Sequence, residues 1–341
     1  MEKNETFVSV LNKRVDEYFN QNRILKTGNF ELYFKSALFI SLYIGAYLFL
    51  ILGNYTLTIM YLLFVLLGLC HIAIATNIAH DAMHGSYSRQ AWLNKLAVLS
   101  FNLIGGNGYM FRKKHLSTHI DTDDADKRSS IQKQKFLMNV KTGKGKSKNA
   151  PVIVYLFFSV YMMLIRDFIL FAKEKDHIPR KEYFILFFSK GIYLTLFWII
   201  PFFAIDALWW QILIGLFLMY SVSNIVFLII LIMPTEGIEQ PKITSHKDAA
   251  NDWAIEVLRH NVDFSPHNKF INWAFGGSNM NVIHYLFPDI SHVHYIKLSN
   301  LVKETVREFG LIYREDAFIK VYGMPFKYFR QLREKEKLAN K

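Results

Sequence analysis

The chain has 341 residues, of which 52% are hydrophobic, 16% aromatic and 20% charged, and 40 Lys+Arg against 28 Asp+Glu give it a formal charge of +12. This excludes a disordered chain, and 30 Phe with 18 Tyr exceed what one soluble core of this length uses, so a membrane protein is the class favoured. The single cysteine, Cys70, excludes a disulfide framework and a thiolate metal cluster, which leaves histidine to hold any metal.

The first thirty residues carry Glu2, Lys3, Glu5, Lys13, Arg14, Asp16 and Glu17 and no apolar stretch. The expectation is that no cleavable signal peptide is present and that the amino terminus stays in the cytoplasm. Two apolar segments follow, Ser36–Leu52 and Thr56–Ala79, joined by a turn at Gly53-Asn54. A second pair, Gly191–Ile205 and Trp210–Met233, is joined across Asp206-Ala-Leu. About 20 residues of helix cross the hydrocarbon core, and Trp209 and Trp210 supply an aromatic anchor, so the pattern predicts two transmembrane hairpins.

Neither turn contains Lys or Arg, and loops rich in these residues stay on the cytoplasmic side. Both termini and the region from 80 to 190 are therefore expected in the cytoplasm as a helical cap. The positive charge reads as a surface facing anionic headgroups of membrane lipids. It is not gathered into a stripe or motif, so nucleic acid is not an expected partner. Leu96–Phe111 is broken by Gly105-Gly106-Asn107-Gly108 and reads as a helix at the interface. Pro151–Ala172 is long enough to cross but carries Arg166-Asp167, and crossing would split the histidines across the bilayer, so it too reads as interfacial.

Seven of the twelve histidines fall in three clusters. His80-Asp-Ala-Met-His84 and His115-Leu-Ser-Thr-His119 each place two imidazoles on one helix face at i, i+4. The second pair is followed by Asp121, Asp123, Asp124 and Asp126, and the third cluster is His284 with His292 and His294 after the turn at Leu286-Phe-Pro288. One such pair is common by chance; three clusters on one face of a membrane point to metal. His71, inside the second span, reads as a buried structural histidine, and His177, His246 and His267 as surface residues. A thiol-free imidazole site suits iron, zinc or copper, and more histidines than one ion uses suggest two metals activating oxygen.

At these residues the chain resembles the membrane fatty acid desaturases, most closely their front-end, linoleoyl-CoA-type branch. The resemblance rests on His80-Asp-Ala-Met-His84-Gly-Ser-Tyr-Ser88, on Lys114-His115-Leu-Ser-Thr-His119, and on the block from Asp263 through Asn272-Trp273-Ala-Phe-Gly276-Gly277 to His284-Tyr-Leu-Phe-Pro288 and His292-Val-His-Tyr295. It runs from about Phe7 to Tyr313. It implies an all-α integral membrane protein, with four transmembrane helices in two hairpins under a cytoplasmic cap. It implies a histidine-held di-iron centre that uses O2 and two electrons to desaturate an acyl chain carried on CoA, a lipid or a carrier protein. No cytochrome b5-like His-Pro-Gly-Gly motif is seen, so the electrons are expected from a separate donor such as ferredoxin or cytochrome b5.

Three positions depart from the family pattern. Ile120, Tyr285 and Glu256 stand where the family carries histidine. His80, His84, His115, His119 and His284 remain as metal-binding and catalytic candidates, enough for one ion, and Glu256 is the candidate hard ligand for a second iron. Against this, Glu256 and Arg259 stand at i, i+3, where they can simply pair. Two other outcomes stay open: an acyl-chain hydroxylase or other oxidative variant, and a catalytically silent lipid-binding membrane protein.

Overall fold

The structure, a computed structural model, describes residues 6–120, 164–227 and 253–317. Outside the described residues lie the acidic run from Asp121 to Asp126, His246, the first part of the expected interfacial helix (151–163) and the last part of the expected fourth span (228–233). The described residues are helical apart from loops and two strands of two residues each, β1 (Asp263–Phe264) and β2 (Glu315–Asp316). The chain is an all-α membrane protein. It divides into two compact units, residues 30–227 and residues 1–29 with 228–341.

The unit of residues 30–227 contains four helices long and apolar enough to cross a membrane: Phe30–Leu52, Leu57–His84, Arg180–Ala204 and Trp209–Phe227. The first is α2, following α1 (Phe7–Gln21) of the other unit. The second is α3 (Leu57–Ile74), a π-helical turn at Ala75–Ala79, and α4 (His80–His84) without a break. At the π turn Thr76 Oγ1 donates to the carbonyl of Ile72 (2.9 Å) and Asn77 Nδ2 to that of Ala73 (3.0 Å), so two polar side chains inside the apolar span are satisfied by the helix's own carbonyls. Spans one and two extend past the apolar windows read from the sequence, because charged residues at a helix end do not stop the backbone hydrogen bonds. The first histidine pair consequently lies in the last turns of the second span rather than beyond it.

Three short helices follow: α5 (Ala91–Val98), α6 (Ser100–Leu103) and α7 (Gly108–Ile120). The expected interfacial helix is thus broken where the glycines fall. Gly105 sits at φ +89°, and a Cβ there would lie 2.7 Å from the ring of Tyr193, so only glycine fits. Asn107 caps α7 by accepting from the backbone N–H of Met110 (2.8 Å).

Helical residues 164–173, here α8, lead through Glu174 and a 3-10 turn at Lys175–His177 to the third span, which is α9 (Arg180–Leu194), a second π turn (Thr195–Ile199) and α10 (Ile200–Ala204). Pro201 has no N–H to offer the preceding turn, which accounts for this irregularity. The fourth span is α11 (Trp209–Phe227), and it packs closely on α3: Ser223 Oγ donates to the carbonyl of Gly68 (2.9 Å). His71 is buried in that contact, 3.3 Å from Ser223 Oγ and 3.4 Å from Tyr43 Oη, as the sequence reading of a structural histidine expects.

Two polar contacts bracket α7 from α8. At one end, the buried Lys190 ammonium of the third span pairs with Asp167 (2.8 Å) and donates to the Gly105 carbonyl (2.5 Å), tying α8 and α9 to the loop that launches α7. Burial pushes the Asp167 carboxyl above its usual range, while Lys190 pulls it back. At the other end, Glu174 pairs with Lys113 (2.6 Å) and Lys114 of α7, and these hydrogen bonds hold its carboxyl down at about 2. Met110, Phe171, Ile178 and Leu186 form the apolar contact between the brackets.

In the other unit, α1 presents Phe7, Leu11, Val15 and Phe19 at four-residue intervals to a core shared with α12 (Trp253–His260), α13 (Lys269–Ala274) being followed by α14 (Asn281–Leu286), and with α14 and α15 (Tyr295–Glu308) themselves. Thr6 caps α1 by accepting from Ser9 N (3.3 Å), and Arg14 pairs with Glu308 (2.6 Å) across α1 and α15. Strands β1 and β2 run parallel, with Asp263 opposite Glu315.

Removing one partner of the buried Lys190–Asp167 pair strands a charge in an apolar environment, at a cost of about 3–5 kcal/mol. Lys190→Met is therefore expected to lower the unfolding temperature in detergent more than the double substitution Lys190→Met with Asp167→Asn, as read by thermal scanning. Equal destabilisation by both would show that the pair is not the contact that holds α8 against α9.

Candidate metal centre

α4 and α7 carry the two histidine pairs, and each is fixed locally before they meet. Helix α4 stops at Gly85, which adopts φ +78°; its N–H bonds to the carbonyl of Ala82 (3.1 Å) and the N–H of Ser86 to that of Asp81 (3.0 Å). This is a Schellman termination, satisfying carbonyls at the end of the helix. Arg112 of α7 donates from Nε to the carbonyl of Met83 (3.0 Å), which locks α7 against the last turn of α4. Phe111 stacks on Phe101 with ring centroids 4.3 Å apart, and it lies nearly parallel to the His115 ring at 5.9 Å.

With those contacts in place, His80, His84, His115 and His119 form one cluster. Neighbouring ring centroids are 4.8 to 5.2 Å apart: His80 to His84 and His115, His84 to His115 and His119, and His115 to His119. The ligand atoms of His80, His84 and His115 all lie within 4.8 Å of one another. His84 Nε2 is 2.8 Å from His115 Nε2, and His119 Nε2 is 3.4 Å from the same atom. Two nitrogens each about 2.0–2.1 Å from one ion stand about 2.8–3.4 Å apart at octahedral to tetrahedral angles, so both spacings fit adjacent ligands of a shared metal. The donor set, all imidazole and near the end of a membrane span, fits iron, zinc or copper. Burial, and then the proximity of His80, His84 and His119, push the His115 imidazole well below the usual histidine range, so it is neutral at pH 7 with a lone pair to offer.

The third cluster lies in the other unit. His284, on α14, is 7% exposed and its Nδ1 is 3.1 Å from the phenol oxygen of Tyr295. Tyr285 is half-buried beside it, its ring 5.6 Å from that of His284 and packed on the apolar core. Glu256, on α12, pairs with Arg259, the contact that the i, i+3 spacing allows. His292 and His294, the rest of the third cluster, are both buried, in a 3-10 turn; His294 Nε2 is 3.2 Å from the carbonyl of Thr27 and its ring meets Phe19 edge-on. They are not surface groups. His177 and His267 are exposed, as expected.

Other residues that shape the centre escaped the sequence reading. The π turn before His80, the Arg112 link and the Lys190–Asp167 bracket join residues remote in sequence or alter a helix without a motif. Asn107 before Gly108 was the one local signal available, since a cap residue at a glycine break marks a helix start.

Comparison with known proteins agrees with the histidine boxes. The family model described as Fatty acid desaturase matches residues 56–317. A protein of Arthrospira platensis named sn-1 linoleoyl-lipid 6-desaturase is 27% identical over 330 residues, covering 90% of this chain and 87% of that protein. One of the same name from Synechocystis is 28% identical, covering 90% of each. An acyl-lipid (8-3)-desaturase of Physcomitrium patens is 23% identical, covering 91% of this chain and 68% of its own. With the family model spanning most of the chain and both histidine pairs converging within it, this protein belongs to the fatty acid desaturase family, whose members are oxidoreductases.

Proposed function

We propose that the protein is an iron- and O2-dependent desaturase of fatty acyl chains carried on membrane lipids. The observation that carries this reading is the convergence of His80, His84, His115 and His119 at the end of a membrane span. The relatives' printed names support an acyl chain attached to a lipid rather than to CoA or a carrier protein. With iron bound at this centre, the chemistry supplied is oxidation: two adjacent methylenes each give up a hydrogen to form C=C, and O2 with two electrons and two protons leaves as two waters. The protein's part is to hold neutral imidazoles in place, to align the acyl chain and to keep water from the reacting carbons.

His284 is proposed as a fifth ligand on the strength of its place in the family's third motif. Glu256, at the position of a missing family histidine, is proposed as a weak, hard ligand that must share itself with Arg259. Ile120 has no donor atom, and a phenol such as Tyr285 ligates only after losing its proton, so the second iron is proposed to be loosely held. The electrons come from a separate donor protein, ferredoxin or cytochrome b5 in kind, for which the basic cap supplies a docking charge. Both termini are proposed to be cytoplasmic, with residues 80–190, supported by the absence of Lys and Arg from both hairpin turns.

Expression in cells followed by lipid profiling is expected to show acyl chains with an added double bond at one position, and His115→Ala to abolish it while still inserting in the membrane. Unchanged lipids in a host that supplies reductant, or full activity in His115→Ala, contradicts the proposal, and hydroxylated chains would transfer it to a hydroxylase.

Iron per chain is expected to be below two in the parent, lower in Glu256→Ala, and higher in the triple substitution Ile120→His, Glu256→His and Tyr285→His. Two firmly held irons in both parent and Glu256→Ala would show that other residues replace the missing histidines. For topology, Asn54→Cys and Ala207→Cys should label from the outer face and Lys144→Cys from the inner one. Outer labelling of Lys144→Cys overturns the orientation.

A further inference from the structure

His284 is held more firmly than an exposed ligand on a short helix. Its backbone belongs to α14, whose first turn is anchored by Asp263: the carboxylate, fully buried, accepts from Val282 N (2.7 Å) through Oδ1 and from the Tyr313 hydroxyl through Oδ2. The His284 N–H itself bonds to the Met280 carbonyl (3.0 Å). The ring is addressed separately. Tyr295, 2% exposed and the first residue of α15, sets its phenol oxygen 3.1 Å from His284 Nδ1.

Tyr295 has little freedom to move away. It lies in the apolar core that includes Ile283, Leu286 and Leu298. On its other side is Gly277, at φ +65°, where a Cβ would come within 2.9 Å of the Tyr295 ring and of His292 Cβ. Gly277 of the third motif thus gives the tyrosine ring a close backbone wall. A buried phenol fixed in this way reads as a positioning group for the imidazole rather than as an exchangeable contact.

A histidine binds a metal through a nitrogen that carries no proton, and the hydrogen bond made by the other nitrogen decides which one that is. Neutral histidine in water carries its proton mainly on Nε2. We propose that Tyr295 reverses this preference in His284: the phenol oxygen accepts the Nδ1–H, so that Nε2 keeps its lone pair and is the ligating atom. Tyr295 is therefore a positioning residue for the metal centre, acting through His284 and not touching the metal. The inference rests on the proposed ligand role of His284.

The test uses the full chain in detergent, labelled with 15N-histidine, with the His284 signals assigned as those lost in His284→Ala. In the metal-free parent, solid-state 15N NMR is expected to show His284 protonated on Nδ1. Tyr295→Phe, which keeps the ring and the core packing, is expected to move the proton to Nε2. It is also expected to speed the release of iron to a chelator by about 10- to 100-fold, the usual cost of losing such a partner. An Nε2–H signal for His284 in the parent overturns the proposal without recourse to any variant. An unchanged tautomer and unchanged iron release in a folded Tyr295→Phe do the same. If instead His284→Ala holds iron as tightly as the parent, it is the ligand role of His284 that fails, and the two failures are told apart.

Discussion

Imidazoles packed ring against ring repel one another when protonated and, when neutral, gather several ring nitrogens within reach of one point. His80, His84, His115 and His119 are held in that arrangement, with centroids about as close as aromatic rings pack. The metal-free chain has to support this cluster by contacts elsewhere. The Schellman turn at Gly85, the Arg112 link to Met83, the Asn107 cap and the two brackets on α7 have that work in common. Each fixes α4 or α7 without using a histidine, so the rings are left in position for a ligand that can accept all of their lone pairs.

The same logic explains a costly charge. Lys190 lies in a span and is 2% exposed, a place where an ammonium survives only if it is paired. Its partners, Asp167 and the Gly105 carbonyl, join α8, α9 and the loop before α7 at one point. An apolar residue would pack there at less cost but would fix no direction for that loop. The ion pair is therefore best understood as orientation obtained at the expense of some stability.

Much of this was legible in the sequence because its signals are local. Two histidines at i, i+4 are neighbours on any helix, and apolar windows of about 20 residues announce spans, so both histidine helices are found and four helices long and apolar enough to cross a membrane overlap the four expected segments, the fourth as far as residue 227. The ends of the spans were less legible. Hydropathy falls at Lys35 and Lys190, yet the backbone ladder continues through both. The stripe of Phe7, Leu11, Val15 and Phe19 is plain at period four but is hidden among charges in any average of hydropathy. What lay beyond reach was long-range: Asp167 meets Lys190, Asp263 meets Tyr313 and His284 meets Tyr295 only after folding. The π turn before His80 has no residue pattern that distinguishes it from the helix around it.

Imidazoles of α4 and α7 are proposed to bind one metal centre together. X-ray absorption at the iron edge of the purified, iron-loaded protein tests it most directly, because it reports the atoms bound to the metal rather than the consequences of binding. The expected spectrum is a nitrogen-dominated shell with the outer scattering of imidazole rings, with fewer imidazoles per iron in both His84→Ala and His115→Ala. An oxygen-only shell, or an imidazole count that neither substitution alters, would contradict it.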